Sequence, residues 1–408
     1  MTETNKRRHE SPTEDTSAAK KVDHKCSPLD DANKDIWKSV NLNNFDIKVL
    51  YQYIRSGGDV HMLSADGYGI LYLAAHHKNI EALRLLLLQP HIDVNASHGP
   101  HNERALHASS SAGHFDAVEL LLENEANVDV TDALGHTPLS NSLFAKSFPC
   151  TELLLKAGAS RDIQDSQGNY LIHLAVSNDF IEAAKVFLQD ASMIDKPNAR
   201  GLSPLALAIS LGHMDLMRVI LDHGADVNNR SKLTTVLHLA VQWNRFEAVQ
   251  ALVERGCNVN VINAMEETPL YVAVQQRKID LVRYLVEHGA DPTYSIHDTS
   301  VNMPLLYAAN HGYNEMCILL VTKKTSRDLL NRAATMSQRN HFFVTAKILR
   351  EQAMKRNAVT VKSVIEEPAD ADFSSLINLE SDDDDDDDEK ANIDSRSCLE
   401  STAEKKPS

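Results

Sequence analysis

Apolar and polar positions along this 408-residue chain repeat with a period far longer than a helix turn or a strand alternation could give. Aligned on the aliphatic residue that opens each apolar stretch, the marks fall at Leu71, Leu106, Leu139, Ile172, Leu205, Leu237, Leu270 and Leu305, with spacings of 35, 33, 33, 33, 32, 33 and 35 residues. Inside a unit the pattern is helical: over residues 215–221, Leu216, Val219 and Ile220 share one face, which predicts a buried stripe. In Thr268-Pro269-Leu270 the hydroxyl can cap a helix, the proline suits its first turn and the leucine begins another stripe. Gly224 is placed to end the second helix of its unit by taking a left-handed conformation, and Asp226-Val227-Asn228 then starts an extended finger. One such unit cannot bury its apolar face alone, so stability requires stacking and end caps with polar outer sides. The predicted fold is all-α: a solenoid of stacked helix pairs with short β-hairpin fingers.

Thr137-Pro138-Leu139, Ser203-Pro204-Leu205 and Thr268-Pro269-Leu270 open three units, and His107, His173 and His238 hold a histidine place in others. Gly158-Ala159, Gly224-Ala225-Asp226 and Gly289-Ala290-Asp291 close units. In these residues and in its period the chain resembles the ankyrin-repeat family over residues 34–355. The pattern gives eight full repeats between degenerate caps, about ten helix pairs in all. The front cap spans residues 36–58, with Trp37, Val40, Val49, Leu50 and Ile54. The back cap spans residues 328–350, with Leu329, Leu330, Ala333, Phe342, Val344, Ile348 and Leu349. Three units depart from the pattern and are expected to be locally weaker: Ser109-Ser110-Ser111 and Asn141-Ser142 stand where alanines are expected, and Gln189-Asp190-Ala191 lacks the closing glycine.

The resemblance implies a non-enzymatic scaffold that binds another protein through its fingertips and the concave face of its first helices. A column of His77, Ala112, Ala145, Asn178, Leu211, Trp243, Gln276 and His311 then falls near that face. Leu211 beside Trp243 forms an apolar step of the kind that anchors partners. The alternative packs Trp243 between adjacent units in place of small residues. Leu134, Tyr68, Leu202 and Met265 are fingertip candidates. Family members are often hydroxylated at the asparagine place held here by Asn95, Asn228 and Asn260, where a turn hydrogen bond is the competing role.

Composition changes the picture mainly at the ends. The formal net charge is −16, and between Glu366 and Asp394 fourteen acidic residues face one lysine. The remainder is close to neutral, which gives the folded part no basic nucleic-acid footprint. The start of the chain lacks the apolar core of a secretory signal, and no apolar run is long enough for a bilayer. Nucleus and cytoplasm are the expected locations. Cys26, Cys150, Cys257, Cys317 and Cys398 show no metal-ligand spacing and are read as reduced thiols. His76-His77 and His98 with His101 lack a full ligand set, and no phosphate loop or catalytic motif occurs. No cofactor, metal or membrane is expected.

Residues 1–33 and 356–408 have compositions that cannot pack a core and are predicted to be disordered. In the head, Lys6, Arg7 and Arg8 followed by Lys20 and Lys21 resemble a two-part nuclear import signal for importin, and Ser11 and Ser27 precede prolines as candidate phosphorylation sites. In the tail, Leu376, Ile377 and Leu379 precede an acidic run and resemble a SUMO-interacting motif, with SUMO or a sumoylated protein as partner. Ser381 suits an acidophilic kinase. A plain solubilising tail, or one that mimics DNA toward histones and other basic proteins, uses the same aspartates. Two rival functions share this architecture. One is an inhibitor resembling the ankyrin-type Rel regulators, whose Asp-Ser-Gly degron is missing ahead of the array, and the other is a ubiquitin-ligase substrate adaptor, for which no recruiting box follows it.

Overall fold

The computed structural model describes residue 36 and residues 46–231, 233–294 and 302–365, with side chains described as far as Arg356. Contacts divide the chain into Met1–Met354 and Lys355–Ser408. In the first unit, helix α1 (Ile47–Arg55) leads a series of helix pairs. The pairs are α2 (Ile70–His76) with α3 (Ile80–Leu87), α4 (Ala105–Ser111) with α5 (Phe115–Glu123), α6 (Pro138–Phe144) with α7 (Phe148–Lys156), and α8 (Leu171–Ser177) with α9 (Ile181–Phe187). A one-turn helix α10 (Ala191–Ile194) intervenes before α11 (Pro204–Leu211) with α12 (Met214–Asp222), α13 (Val236–Gln242) with α14 (Phe246–Glu254), α15 (Pro269–Gln275) with α16 (Ile279–Glu287), and α17 (Pro304–Asn310) with α18 (Asn314–Leu320). The last described pair is α19 (Arg327–Arg339) with α20 (Phe343–Ile365). Each first helix packs on its partner and on the first helix of the next pair. One continuous core runs from Ile36 and Leu50 through Ala208 and Ala240 to Leu349 and Ala353.

Local chemistry sets the element ends as the sequence suggests. Thr137, Ser203, Thr235 and Thr268 each cap a first helix through the side-chain oxygen, and proline follows directly in three of the four. Gly224 lies at φ +89°, beyond the end of α12 at Asp222 and its cap His223, where a left-handed residue releases the chain into the finger. Ala308 and Ala309 are fully buried at the contact of α17 with its neighbours.

Two ladders join successive units. Neighbouring fingers are linked tip to tip by backbone bonds, Ser166 N–H to Leu134 O at 3.1 Å and Ala264 N–H to Leu233 O at 2.9 Å among them. The fingers contain single antiparallel bridges such as Gln164 with Tyr170, and no longer strands among the described residues. At the finger starts, the third residue of one unit accepts a hydrogen bond from the first residue of the next. Asn95 accepts from Asn127 N–H (2.8 Å), Asp129 from Ser160 N–H (2.9 Å), Asn228 from Asn258 N–H (3.0 Å) and Asn260 from Asp291 N–H (2.8 Å). The expected turn hydrogen bond is thus replaced by one that runs between units.

Several expectations need correction. In α12 the buried stripe is Leu216, Met217, Ile220 and Leu221, and Val219 lies at its margin, because the stacked neighbours cover a wider face than three positions mark. In the back cap, Leu330, Ala333, Ala334, Thr345, Ala346 and Leu349 are buried, whereas Phe342 and Val344 point outward. The unit without a closing glycine turns through α10 instead, whose cap Asp190 accepts from Ser192 N–H at 2.9 Å. Of the serines in alanine places, Ser109 and Ser142 donate back to the carbonyls of Leu106 and Leu139, and Ser142 also meets Thr151 Oγ1 at 2.9 Å, whereas the buried Ser110 hydroxyl has no hydrogen-bond partner among the described residues.

Candidate binding surface

The column read from the sequence falls at the ends of first helices, where the chain turns toward the second. His77, Ala112, Ala145, Asn178, Trp243, Gln276 and His311 are the C-terminal caps of α2, α4, α6, α8, α13, α15 and α17, and Leu211 is the last residue of α11. At these places backbone hydrogen bonding fixes the main chain and leaves the side chain free to point out. Trp243 N–H donates to Leu239 O at 2.9 Å while its side chain stands 53% exposed. Leu211, one unit earlier, is 45% exposed. A contact between units holds this pair of helix ends: the Arg245 guanidinium donates to Leu211 O at 3.4 Å and lies against Gly212, where an added Cβ would come within 2.6 Å of it. His311 extends the column as an exposed ring stacked on Tyr307, with centroids 4.1 Å apart.

The fingertip candidates divide into two groups. Leu134 (46% exposed) and Met265 (74%) project from the tips. Tyr68 and Leu202 sit lower, at the base of their fingers. Tyr68 stacks on Tyr72 at 4.7 Å and Leu202 packs against the core, its carbonyl receiving His173 Nε2–H at 3.0 Å. Leu233 and Phe144 are among the exposed apolar residues that the sequence pattern did not mark. Leu233 occupies the tip next to Met265, and its finger belongs to the 32-residue unit, one residue short. Phe144 lies one place before the column, with its ring 5.1 Å from that of His136.

First helices of seven residues are only about 10 Å long. Trp243 at the end of α13 and Leu233 on the finger ahead of its start belong to one unit, with Leu211 and Met265 in the flanking units. A ligand of peptide or protein size could cover all four.

His98 Nδ1 accepts from Gly69 N–H at 3.2 Å and is buried, and burial lowers its pKa. The rings of His76 and His77 stand at 78° to one another. No cluster of three or more metal-ligating side chains occurs among the described residues. Cys150, Cys257 and Cys317 are free, buried thiols; burial pushes Cys257 up to about 11 and Cys317 up to about 12. No helix of the described residues is long and apolar enough to cross a membrane. The import residues Lys6, Arg7, Arg8, Lys20 and Lys21, the SUMO-motif residues Leu376, Ile377 and Leu379, and Ser11, Ser27 and Ser381 all lie outside the described residues.

The family profile described as ankyrin repeats matches in three copies, over residues 38–132, 139–231 and 229–296, which is more than half of the chain. The chain belongs to the ankyrin-repeat family. Among solved structures, the ankyrin repeat domain of human ASB11 superposes with a TM-score of 0.50 at 27% identity, covering 55% of this chain and all of that domain. The ankyrin repeat domain of Bcl-3, a member of the IkappaB protein family, gives a TM-score of 0.49 at 26% identity over 53% of this chain and 99% of that one. Curated relatives match over shorter stretches: a zinc finger CCCH domain-containing protein of Oryza sativa subsp. japonica is 42% identical over 71 residues, and a putative ankyrin repeat protein of fowlpox virus is 30% identical over 99 residues. These alignments cover 17% and 24% of this chain and 9% and 17% of the respective relatives. The ankyrin array is generally a non-catalytic module that binds other proteins.

Proposed function

We propose that this ankyrin array is a scaffold that holds a partner protein across the fingers and first-helix ends of its middle units, from Leu211 to Met265. The observation that carries the reading is the exposure of Trp243 beside Leu211, with Leu233 and Met265 outermost on the adjoining fingers. Large apolar side chains held outward by a rigid backbone lose little freedom on binding, and tryptophan is prominent among residues that dominate interfaces. Isolated exposed apolar residues need no explanation, but four in neighbouring units do. Proximity labelling with wild type, Trp243→Ala and a Leu233→Ser, Met265→Ser variant tests the proposal. A set of proteins should be lost from both variants while their thermal melting stays within a few degrees of wild type. Retention of the same set by both would remove this surface from the function.

The proposal extends to both ends of the chain on sequence grounds. Lys6, Arg7, Arg8, Lys20 and Lys21 would carry the protein into the nucleus, and Leu376, Ile377 and Leu379 would bind SUMO or a sumoylated protein. A fluorescent reporter fused to residues 1–33 should concentrate in nuclei; a diffuse signal argues against import through the head.

A further inference from the structure

We propose that the end face of the array, on the first part of α20, receives an acidic amphipathic helix from another protein as one further layer. The argument rests on register. In α12 and α16 the fifth residue after the cap, Arg218 and Arg283, reaches an acid in the first turn of the following second helix, Glu247 in α14 and Glu315 in α18, the latter at 3.8 Å. Phe342 holds the matching cap position before α20. Its N–H donates to Ser337 O at 2.8 Å, as Lys278 N–H donates to Ala273 O and Tyr313 N–H to Ala308 O, each at 2.9 Å. Counted from Phe342, the residue equivalent to Arg218 and Arg283 is Lys347. No further helix pair follows α20 among the described residues, and Lys347 makes no ion pair among them.

The surface around Lys347 departs from what a terminal layer requires. Capping layers need a polar outer face, yet Phe343 is 62% and Met354 68% exposed on α20. With Ala346, Lys347, Arg350 and the single carboxylate Glu351 they line a groove of about 390 Å³ that Gln338 of α19 borders. Arg350 is held there by a hydrogen bond to Gln338 Oε1. The counterparts of Phe343 in α12 and α16, Met214 and Ile279, are packed against the core. Charge matches the apolar stripe: between Val321 and Met354 seven lysines and arginines face only Asp328 and Glu351, in a chain whose net charge is −16. The complement is a helix with aliphatic residues along one stripe and carboxylates at its start. Helix-in-groove docking buries the stripe, and the acids meet Lys347 and Arg350. A nucleic-acid backbone would satisfy the cations but leave the Phe343 and Met354 stripe uncovered.

A fluorescein-labelled, hydrocarbon-stapled peptide copying residues 246–254, acidic through Glu247 in its first turn and Glu254, serves as probe for the full-length protein, read by fluorescence anisotropy. Saturable binding is expected. The double variant Lys347→Glu, Arg350→Glu should weaken it at least about tenfold, with melting within a few degrees of wild type, since the one bond lost, Arg350 to Gln338, lies on the exposed surface. A probe carrying Glu247→Lys should regain affinity for that variant. Absence of saturable binding, or equal binding by wild type and variant, overturns the proposal. So does displacement of the probe by oligouridylate or polyaspartate as effectively as by unlabelled helix, which would assign the face to any polyanion. Tighter binding of a peptide copying residues 376–389 would give it to the acidic run of this chain, and a concentration-dependent doubling of mass abolished by the double variant would give it to a second copy.

Discussion

His238 reaches from the first turn of α13 to the backbone of the next finger, where its Nε2 lies 2.8 Å from the carbonyl oxygen of Glu267. A carbonyl only accepts, so Nε2 carries the proton, and Nδ1 is left to accept from the Thr235 hydroxyl at 2.8 Å. His107 and His173 make the same reach to His136 O and Leu202 O. The three imidazoles are thus neutral bolts between units. Burial lowers the pKa of all three, and that of His238 to about 4.

The sign of the pH effect follows. The unfolded chain binds these protons near the ordinary histidine value of about 6.5, and the folded chain does so only at lower pH. Their contribution to stability is complete above about pH 6.5 and declines as pH falls toward about 4, the folded value for His238. Thermal melting followed between pH 7.5 and 4.5 (about the histidine window) should show a steady loss. His238→Ala should destabilise at neutral pH by about 1–3 kcal/mol, since the Glu267 carbonyl loses its partner, and should flatten the pH dependence. A variant with the wild-type slope would mean that other groups govern it.

Asn260 offers a second bolt of different chemistry. Its side chain accepts from Asp291 N–H at 2.8 Å and donates to Gly289 O at 3.2 Å, joining two finger starts. Asn260→Ala should cost about 1 kcal/mol, and amide exchange at Asp291 should quicken more than elsewhere in its unit. Asn260→Asp keeps the acceptor and loses the donor, so protection at Asp291 should survive. Unchanged exchange at Asp291 in the alanine variant would remove the bond from the account.

Most of the fold was legible because a repeat prints each structural decision several times. Thr-Pro-Leu marks helix starts, Gly224 and its equivalents mark ends, and these rules act over a few residues. What the sequence hid lies between units. Val219 was assigned to a stripe whose real width depends on the neighbour, and Phe342 and Val344 were assigned to a core that no described layer completes. Leu233 carries no motif of its own that marks it as exposed, and Tyr68 and Leu202 were taken for tips although they stand at finger bases. Trp243 was legible as a column member, but only its surroundings show that the side chain stands outward.

Buried thiols give a prediction of reactivity. Cys317 is fully buried and Cys257 nearly so, its thiol donating to Val227 O at 3.3 Å. Reaction with iodoacetamide requires the thiolate, and burial holds the two thiols up to about 12 and about 11. At mildly alkaline pH both should stay unmodified in the native protein and label fully in denaturant, as read by peptide mass spectrometry. Rapid native labelling of Cys317 would show that the layer of α17 and α18 opens on its own, a local instability that the continuous core does not suggest.

The tail motif makes a prediction that separates its aliphatic residues from its charge. If Leu376, Ile377 and Leu379 add a strand to the edge of SUMO, their side chains enter an apolar groove and supply affinity that salt does not remove, whereas the aspartates act at longer range and are screened over about 8–10 Å. Alanine at the three aliphatic positions should therefore abolish SUMO pull-down at every ionic strength. Asparagine in place of the aspartates from Asp382 to Asp388 should weaken it chiefly at low salt. Phosphate on Ser381, adding roughly −1.5 to −2 charges next to the motif, should strengthen binding and steepen its salt dependence. A tail that merely carries charge gives the opposite pattern, with the alanine variant still binding and the asparagine variant inert, and that result would return the segment to a general partner of basic proteins.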